Sequence, residues 1–476
     1  MSPRPSALRA ARLAALLLLS RGAAADALAP VPLASDPLLA RLVEESLAAR
    51  PELRSAEAAA RAGRERIPQA GALPDPTLSL GIQNDGFEAI QVGEMETSFY
   101  QVMLSQGLPW PGKRGLRGDV ARLASDEAGE FVARARLATR AEVSRAYVDL
   151  LLARDRLALL ARLETIWQRS AGMARARYEA GEGAQSDVLR AQLELNRLRL
   201  RRFGLEAAER ASVQGLNRLR ARPLDEPIAT TATIRELGAP PLPDEAAAVE
   251  DAARRSPELA RARLGARRAE ASVALARRER YPDLAVNAGV MPRGALEPMW
   301  LAGISIGLPV WSGRKQARAV AESQARAEGD AADAEAVAQL LALRVAERRS
   351  ALAALLETVG LYRAGLLVQS QATADSTLAQ YRVGRVTFAS VLEANAGYVA
   401  DEEAFVTALA EAQRIAIAAD EVSLDPVGAV GQGGAGGGAM PGAGAAGGAG
   451  GGAAGAGAGA APGAAAASGA AMPSGM

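Results

Sequence analysis

Cysteine and histidine are both absent from the 476 residues of this chain. That excludes disulfides, thiol nucleophiles, imidazole acid–base chemistry and metal sites built from thiolate or imidazole ligands. Carboxylate chemistry survives this cut. Yet no Asp/Glu pair falls in a plausible cleft, because nearly all the acids lie on helical faces beside arginine. Neither an enzyme nor a bound cofactor is expected. Charge of one sign is also lacking: 55 Lys and Arg balance 54 Asp and Glu for a net +1, so no nucleic acid or other polyanion is implied. Long apolar runs are missing too, and no stretch approaches the eighteen or so consecutive apolar residues of a membrane-spanning helix. Aromatics make up only 4% of the chain and lysine occurs twice, at Lys113 and Lys315, so the positions of these residues carry information.

What is present is stated twice. The first copy runs Pro51-Glu52-Leu53, Pro74-Asp75, Leu108-Pro109-Trp110-Pro111-Gly112-Lys113-Arg114, Tyr178-Glu179-Ala180-Gly181 and Val188-Leu189-Arg190-Ala191. The second runs Pro257-Glu258-Leu259, Pro282-Asp283, Leu308-Pro309-Val310-Trp311-Ser312-Gly313-Arg314-Lys315, Tyr381-Arg382-Val383-Gly384 and Val391-Leu392-Glu393-Ala394. Both lysines fall in the same basic turn. Self-similarity on this scale predicts one body of two halves rather than several unrelated domains. The expected division is a signal peptide over 1–25, a first repeat over 26–223, a linker over 224–243, a second repeat over 244–426 and a tail over 427–476. Arg4, Arg9 and Arg12, the apolar run Leu13 to Leu19 and Ala23-Ala24-Ala25 form the secretory pattern, with no cysteine to carry a lipid anchor. The Gly/Ala tail has too few large side chains to offset the entropy of ordering, so it is expected to be disordered.

Four stretches alternate with period two, the mark of a strand with one apolar face. Leu78, Leu80 and Ile82 share a face. Tyr100, Val102 and Leu104 share another, opposite Gln101, Met103 and Ser105. Leu284, Val286, Ala288 and Val290 follow in the second half, then Ile304, Ile306 and Leu308. The opposite faces are small and uncharged. Trp110, Trp300 and Trp311 lie at or beside strand ends, with Lys113, Arg114, Arg314 and Lys315 just beyond two of them, the arrangement of anchors at a membrane–water interface. Soluble hairpins packed on helices remain an alternative. In hydrocarbon, four strands would leave two unpaired edges, so copies must share a barrel, and three copies give twelve strands. Asn84 to Thr97 and Pro292 to Pro298 are expected as the exposed loops.

The remainder predicts helices too long for one globule. No proline interrupts Gly112 to about Tyr178, or Ser312 to about Tyr381, and charges recur every few residues. Each would extend on the order of 100 Å and turn back at Gly181 or Gly384, where a left-handed C-cap costs little. A soluble coiled-coil rod is the alternative, and it leaves the strands without a purpose.

With its duplication, turns and tips taken together, the chain resembles the TolC-type outer-membrane efflux proteins over nearly its whole length apart from the tail. Its first turn is most similar to members that serve heavy-metal pumps of the resistance-nodulation-division class. The resemblance implies an α+β membrane protein: a homotrimer with a twelve-stranded β-barrel, four strands from each chain, continued by a periplasmic α-helical barrel. It implies a passive exit duct in the outer membrane of a Gram-negative-type cell, embedded in lipid. Such a duct would dock on a periplasmic adaptor of the membrane-fusion type and an inner-membrane pump, and would pass metal cations or drugs. A type I protein-secretion duct shares this architecture, and a non-conducting surface rod is the structural alternative. The same resemblance assigns adaptor docking to the tips, at Tyr178, Gly181, Tyr381 and Gly384. Glu393 matches an acidic constriction position of the family, the neighbouring one carries Ser390, and Asp187 is the acid of the first tip. Glu393 and Asp187 are equally readable as solvated first-turn residues favoured by the helix dipole.

Overall fold

The structure is a computed structural model, and it describes residues 33–426. The expected signal peptide and Gly/Ala tail lie outside these residues.

Helix α1 (Pro37–Ala49) starts where the Asp36 carboxylate accepts the Leu38 N–H and proline occupies the first turn. Helix α2 (Pro51–Gly71) leads to strands β1 (Thr77–Gln83) and β2 (Phe99–Leu108). Helix α3 (Lys113–Glu179) is 67 residues long, about 100 Å, and α4 (Gln185–Leu219) folds back along it. After a one-turn helix, α5 (Ile234–Leu237), the second half repeats the plan. Its elements are α6 (Glu245–Arg255), α7 (Pro257–Arg278), β3 (Leu284–Arg293), β4 (Leu296–Ile306), α8 (Gln316–Leu361), α9 (Leu367–Arg382) and α10 (Phe388–Glu421).

The second long rod departs from expectation in one place. Residues Tyr362–Leu366 form a π-turn between α8 and α9, the kind of local widening that bulges an otherwise regular helix. Tyr362 lies on Phe405 of α10, ring centroids 6.2 Å apart, and the guanidiniums of Arg235 and Arg363 also lie over that ring. By length and composition alone, Gln316–Arg382 contains a stretch apolar enough to cross a bilayer, which the spacing of its charges had argued against. Only 11% of that stretch is buried, chiefly where Leu352 and Val359 meet the core, so in the single chain most of its apolar surface stays open.

The core sits halfway along the helices. Leu42, Val143, Tyr147, Leu150, Leu151, Leu216, Ile234, Leu237 and Leu409 are buried together there. The linker joins this core through Ile228, Ile234 and Leu237, so it is a packed belt rather than a spacer. Asn217 ties it down by donating to the carbonyls of Leu224 and Glu226. A second core, including Leu163, Trp167, Ala191, Phe388 and Val391, lies toward the hairpin tips.

All four strands form one antiparallel sheet in the order β1-β2-β3-β4. The repeat holds to the level of single residues. Thr77 opposes Ser105 in the first hairpin. Their counterparts, counted from the Pro-Asp and Leu-Pro motifs, are Ala285 and Ser305, which oppose each other in the second. The loops differ. Residues 84–98 are held by Asn84, whose side-chain amide donates to Gly86 and Ala89 and whose oxygen accepts from Gln91 N–H. Phe87 is fully exposed in this loop. The second loop is only Gly294-Ala295, because Pro292 belongs to β3 beside a bulge and Pro298 belongs to β4. A Cβ on Gly294 would come within 2.8 Å of Gly93 Cα, so the two tips are packed together.

Candidate channel wall, basic turns and hairpin tips

Strand alternation and register together sort the sheet into two faces. One face carries the rows Leu80, Val102, Val290, Trp300 and Leu78, Leu104, Ala288, Ala302. Its large side chains are open: Leu80 is 72% exposed, Ile304 70% and Trp300 79%. The other face presents Thr77, Ser105, Asn287 and Ser305, with Asn287 Nδ2 donating to Ser305 Oγ at 2.7 Å. On this face Gly289 has no room for a side chain, since a Cβ would lie 2.8 Å from Val102 O. Among the described residues no helix covers the apolar face, and β1 and β4 each have one unpaired edge. A contiguous exposed surface of this kind has a physical cover in lipid, with water on the small polar side.

The basic turns are placed unequally. Lys113 is not extended toward solvent as a headgroup cation would be. It is 3% exposed, and its Nζ donates to Tyr281 O and to Asp283 Oδ1, each at 2.8 Å. Asp283 also accepts the Trp110 N–H, while the Trp110 ring stacks on Tyr281 at 5.5 Å and 10°. Arg278 lies over the other partner, Tyr281, and donates to Pro111 O. These contacts bolt the first turn to the start of β3. Arg114 reaches Gly71 O. Trp300 lies within β4, four residues from its start, on the outward face, instead of at a strand end. Trp311, Arg314 and Lys315 are exposed, with no hydrogen-bond or ion-pair partner for their side chains among the described residues.

Burial works against the charge on Asp283, but the bonds from Lys113 and the Trp110 N–H outweigh it and hold its carboxyl below the ordinary aspartate range. A carboxylate with a depressed folded pKa contributes fully above its unfolded value and loses that contribution as pH falls through the folded one. The junction is therefore expected to hold at neutral pH and to open only below about pH 4. Trp110 emission, in a variant lacking the other three tryptophans, should report that step, and Asp283→Asn should remove it.

At the tips the two Tyr-x-x-Gly motifs diverge. Gly181 and Gly384 both take left-handed backbone, φ 77° and 73°. Tyr178 is exposed, whereas Tyr381 is 2% exposed and tilts onto Phe388 at 5.3 Å. Arg177, which sequence reasoning missed, joins the hairpins: its Nη1 donates to Tyr381 O at 2.7 Å and its guanidinium covers the Tyr381 ring. The Tyr381 hydroxyl makes a long bond to Asp187 Oδ2, 3.5 Å. Burial and that carboxylate push the phenol above its usual range. Asp187 thus touches the second tip. Glu393 is exposed and without a partner among the described residues, and Ser390 Oγ pairs with Thr387 Oγ1. The one signal for Arg177 was its position directly before Tyr178.

The model of the outer membrane efflux protein family matches residues 42–221 and 248–419, both halves of the repeat. The chain belongs to this family. It is an outer-membrane efflux protein with a large periplasmic helical portion, not an enzyme. No curated protein shows significant sequence similarity to it. Among solved structures, the outer-membrane channel OprN matches with a TM-score of 0.70 at 20% identity, covering 82% of this chain and 91% of that one. CusC, described with its transmembrane channel formation, matches at 0.69 and 16% identity over 84% and 94%. The open MtrE channel of Neisseria gonorrhoeae matches at 0.68 and 18% identity over 81% and 89%. At such identities these likenesses speak for the fold.

Proposed function

We propose that three copies form a twelve-stranded barrel continued by a helical tube, and that this assembly is the passive exit duct of a tripartite efflux system. The observation that carries the reading is the freestanding four-stranded sheet, apolar and open on one face, small and polar on the other, with two unpaired edges. Unpaired backbone in hydrocarbon costs several kcal/mol per group, so the edges must meet edges of other copies. The uncovered apolar stretch of Gln316–Arg382 supports the same assembly from the helical side.

The duct supplies a water-filled path, and the work of export comes from an inner-membrane pump of the resistance-nodulation-division type. A periplasmic adaptor joins the two at the hairpin tips. The first turn favours a system exporting metal cations, with drugs as the second class. Three-fold rings of Asp187 and Glu393 would place negative potential at the mouth and admit cations preferentially. Arg177, bridging the hairpins at Tyr381, holds the tip narrow until docking rearranges it. Trp110, Trp311, Arg314 and Lys315 mark the inner membrane–water boundary of the barrel.

Electron microscopy of protein extracted from outer membranes tests the assembly. The expected particle is three-fold, with a short micelle-wrapped end and a tube on the order of 100 Å long. A soluble monomer, or a rod with no embedded end, would sink the reading. Docking has its own test. Proline at 384 cannot adopt a φ of 73°, so Gly384→Pro is expected to abolish adaptor cross-linking and metal or drug resistance while trimers still reach the membrane.

A further inference from the structure

The contacts that join the two repeats inside one chain have sequence counterparts that no single chain can make. Between the repeats, β2 pairs with β3, setting Ser105 opposite Asn287 and Gly107 opposite Ala285. At the foot of that seam, Asp283 receives Lys113 and the Trp110 N–H. The counterpart of Asp283 is Asp75, which is exposed and has no partner among the described residues. Counted from the turn glycines, the counterpart of Lys113 is Arg314, also exposed and without a partner among the described residues. Trp311 replaces Trp110, and its backbone N–H meets no acceptor among the described residues. The same incompleteness extends up the helices. Helix α7 packs against both α3 and α8, whereas its counterpart α2 makes its long-helix contact with α3.

We propose that β4 of one copy pairs with β1 of a second copy in the register of the β2–β3 seam, placing Ser305 opposite the second copy's Ser79. This rests on the trimeric reading above and adds its register and its lock. The facing parity supports it: Ile304 would oppose Leu80, both on the apolar side, and Ser305 would oppose Ser79, both on the polar side. A slip by one residue would turn an apolar row into the lumen. The register brings the Asp75 carboxylate to Arg314 and the Trp311 N–H, so each of the three seams between copies carries the bolt that Lys113 and Asp283 make within the chain. The second copy's α2 then lies against the first half of α8, as α7 lies against α3 within the chain. Within the single chain, the second turn is left in a different conformation: Gly112 has φ 91°, whereas Gly313 is not left-handed. Docking on Asp75 would draw it into the form of the first.

Because the chain has no cysteine, Ser79→Cys with Ser305→Cys introduces the only thiols. Directly opposed residues of antiparallel strands lie about 4.5–5.5 Å apart, within disulfide reach. Within one chain the two sit on opposite edges of the sheet, three strand spacings across and four residues along, about 19 Å apart, so any bond joins copies. Oxidised membranes are expected to give a covalent dimer and trimer ladder for this pair, and none for either single variant or for Ser79→Cys with Gly303→Cys. Trimeric particles that cross-link through Gly303→Cys instead would overturn the register and leave the duct standing. Particles that are monomeric would overturn the duct itself. For the lock, Asp75→Arg is expected to lower the trimer fraction surviving in detergent at least ten-fold, and Asp75→Arg with Arg314→Asp to recover it. Trimer survival unchanged by Asp75→Arg would overturn the lock.

Discussion

Leu104→Arg is expected to remove the protein from the outer membrane almost entirely. Leu104 stands on β2, an inner strand of the sheet, in the middle apolar row between Leu78 and Ala288, and its side chain is half exposed. Arginine on the lipid face near a bilayer midplane costs about 2–4 kcal/mol, and the proposed three-fold assembly would apply that cost three times per barrel. The neighbouring Ser105 is the control. It belongs to the small polar face beside Asn287, so Ser105→Arg should insert and alter only what passes. Membrane fractionation of the two variants measures the difference. Equal insertion would contradict the assignment of the faces.

The second large effect lies far from the sheet. Glu421, at the last position of α10, is buried, and its carboxylate receives Arg134 at 2.9 Å and Arg145 at 2.7 Å, both from α3. A carboxylate at a helix C-terminus opposes the helix dipole, so the two arginines are what makes the position tolerable. Arg134 also reaches Glu258 of α7 at 2.7 Å, which gathers the end of the second hairpin, the first long helix and the second repeat's leading helix at one point. Glu421→Ala leaves two partly buried guanidiniums without their shared partner. The expected loss is about 3 kcal/mol, read as a lower urea midpoint by circular dichroism. Glu421→Gln, which keeps the shape and acceptor oxygen, should lose less. Surface pairs such as Arg175 with Glu179 should change little when broken.

Much of this was legible because it was periodic. Alternation named the residues of the two sheet faces, and the long proline-free stretches with their turning glycines gave both long helices to within a few residues. Asp283 was less legible. Its motif stood in the repeat, but nothing in a linear sequence says that a lysine 170 positions earlier will be buried against it. An interfacial lysine and a buried lysine read alike until the partner is placed. Trp300 was misjudged for a related reason: β4 begins earlier than its prolines suggested, since Pro298 sits on an edge strand where a missing N–H is tolerated. The π-turn at Tyr362–Leu366 had no local signature, because Gly365 alone is too common to mark one. Arg177 escaped because its role depends on two hairpins meeting.

The unequal loops of the sheet divide the molecule's outward identity. The second repeat shows the exterior little more than Gly294-Ala295, packed against Gly93 and closed to insertion. The first repeat shows residues 84–98, with Phe87 standing clear of everything. With the sheet spanning the outer membrane as proposed, whatever meets it from outside the cell, whether an antibody, a phage or a chemist's label, would read the first repeat's loop and, among the described residues, scarcely touch the second. An epitope placed beside Phe87 would be displayed at the cell surface. The same peptide at Gly294 would be a folding defect.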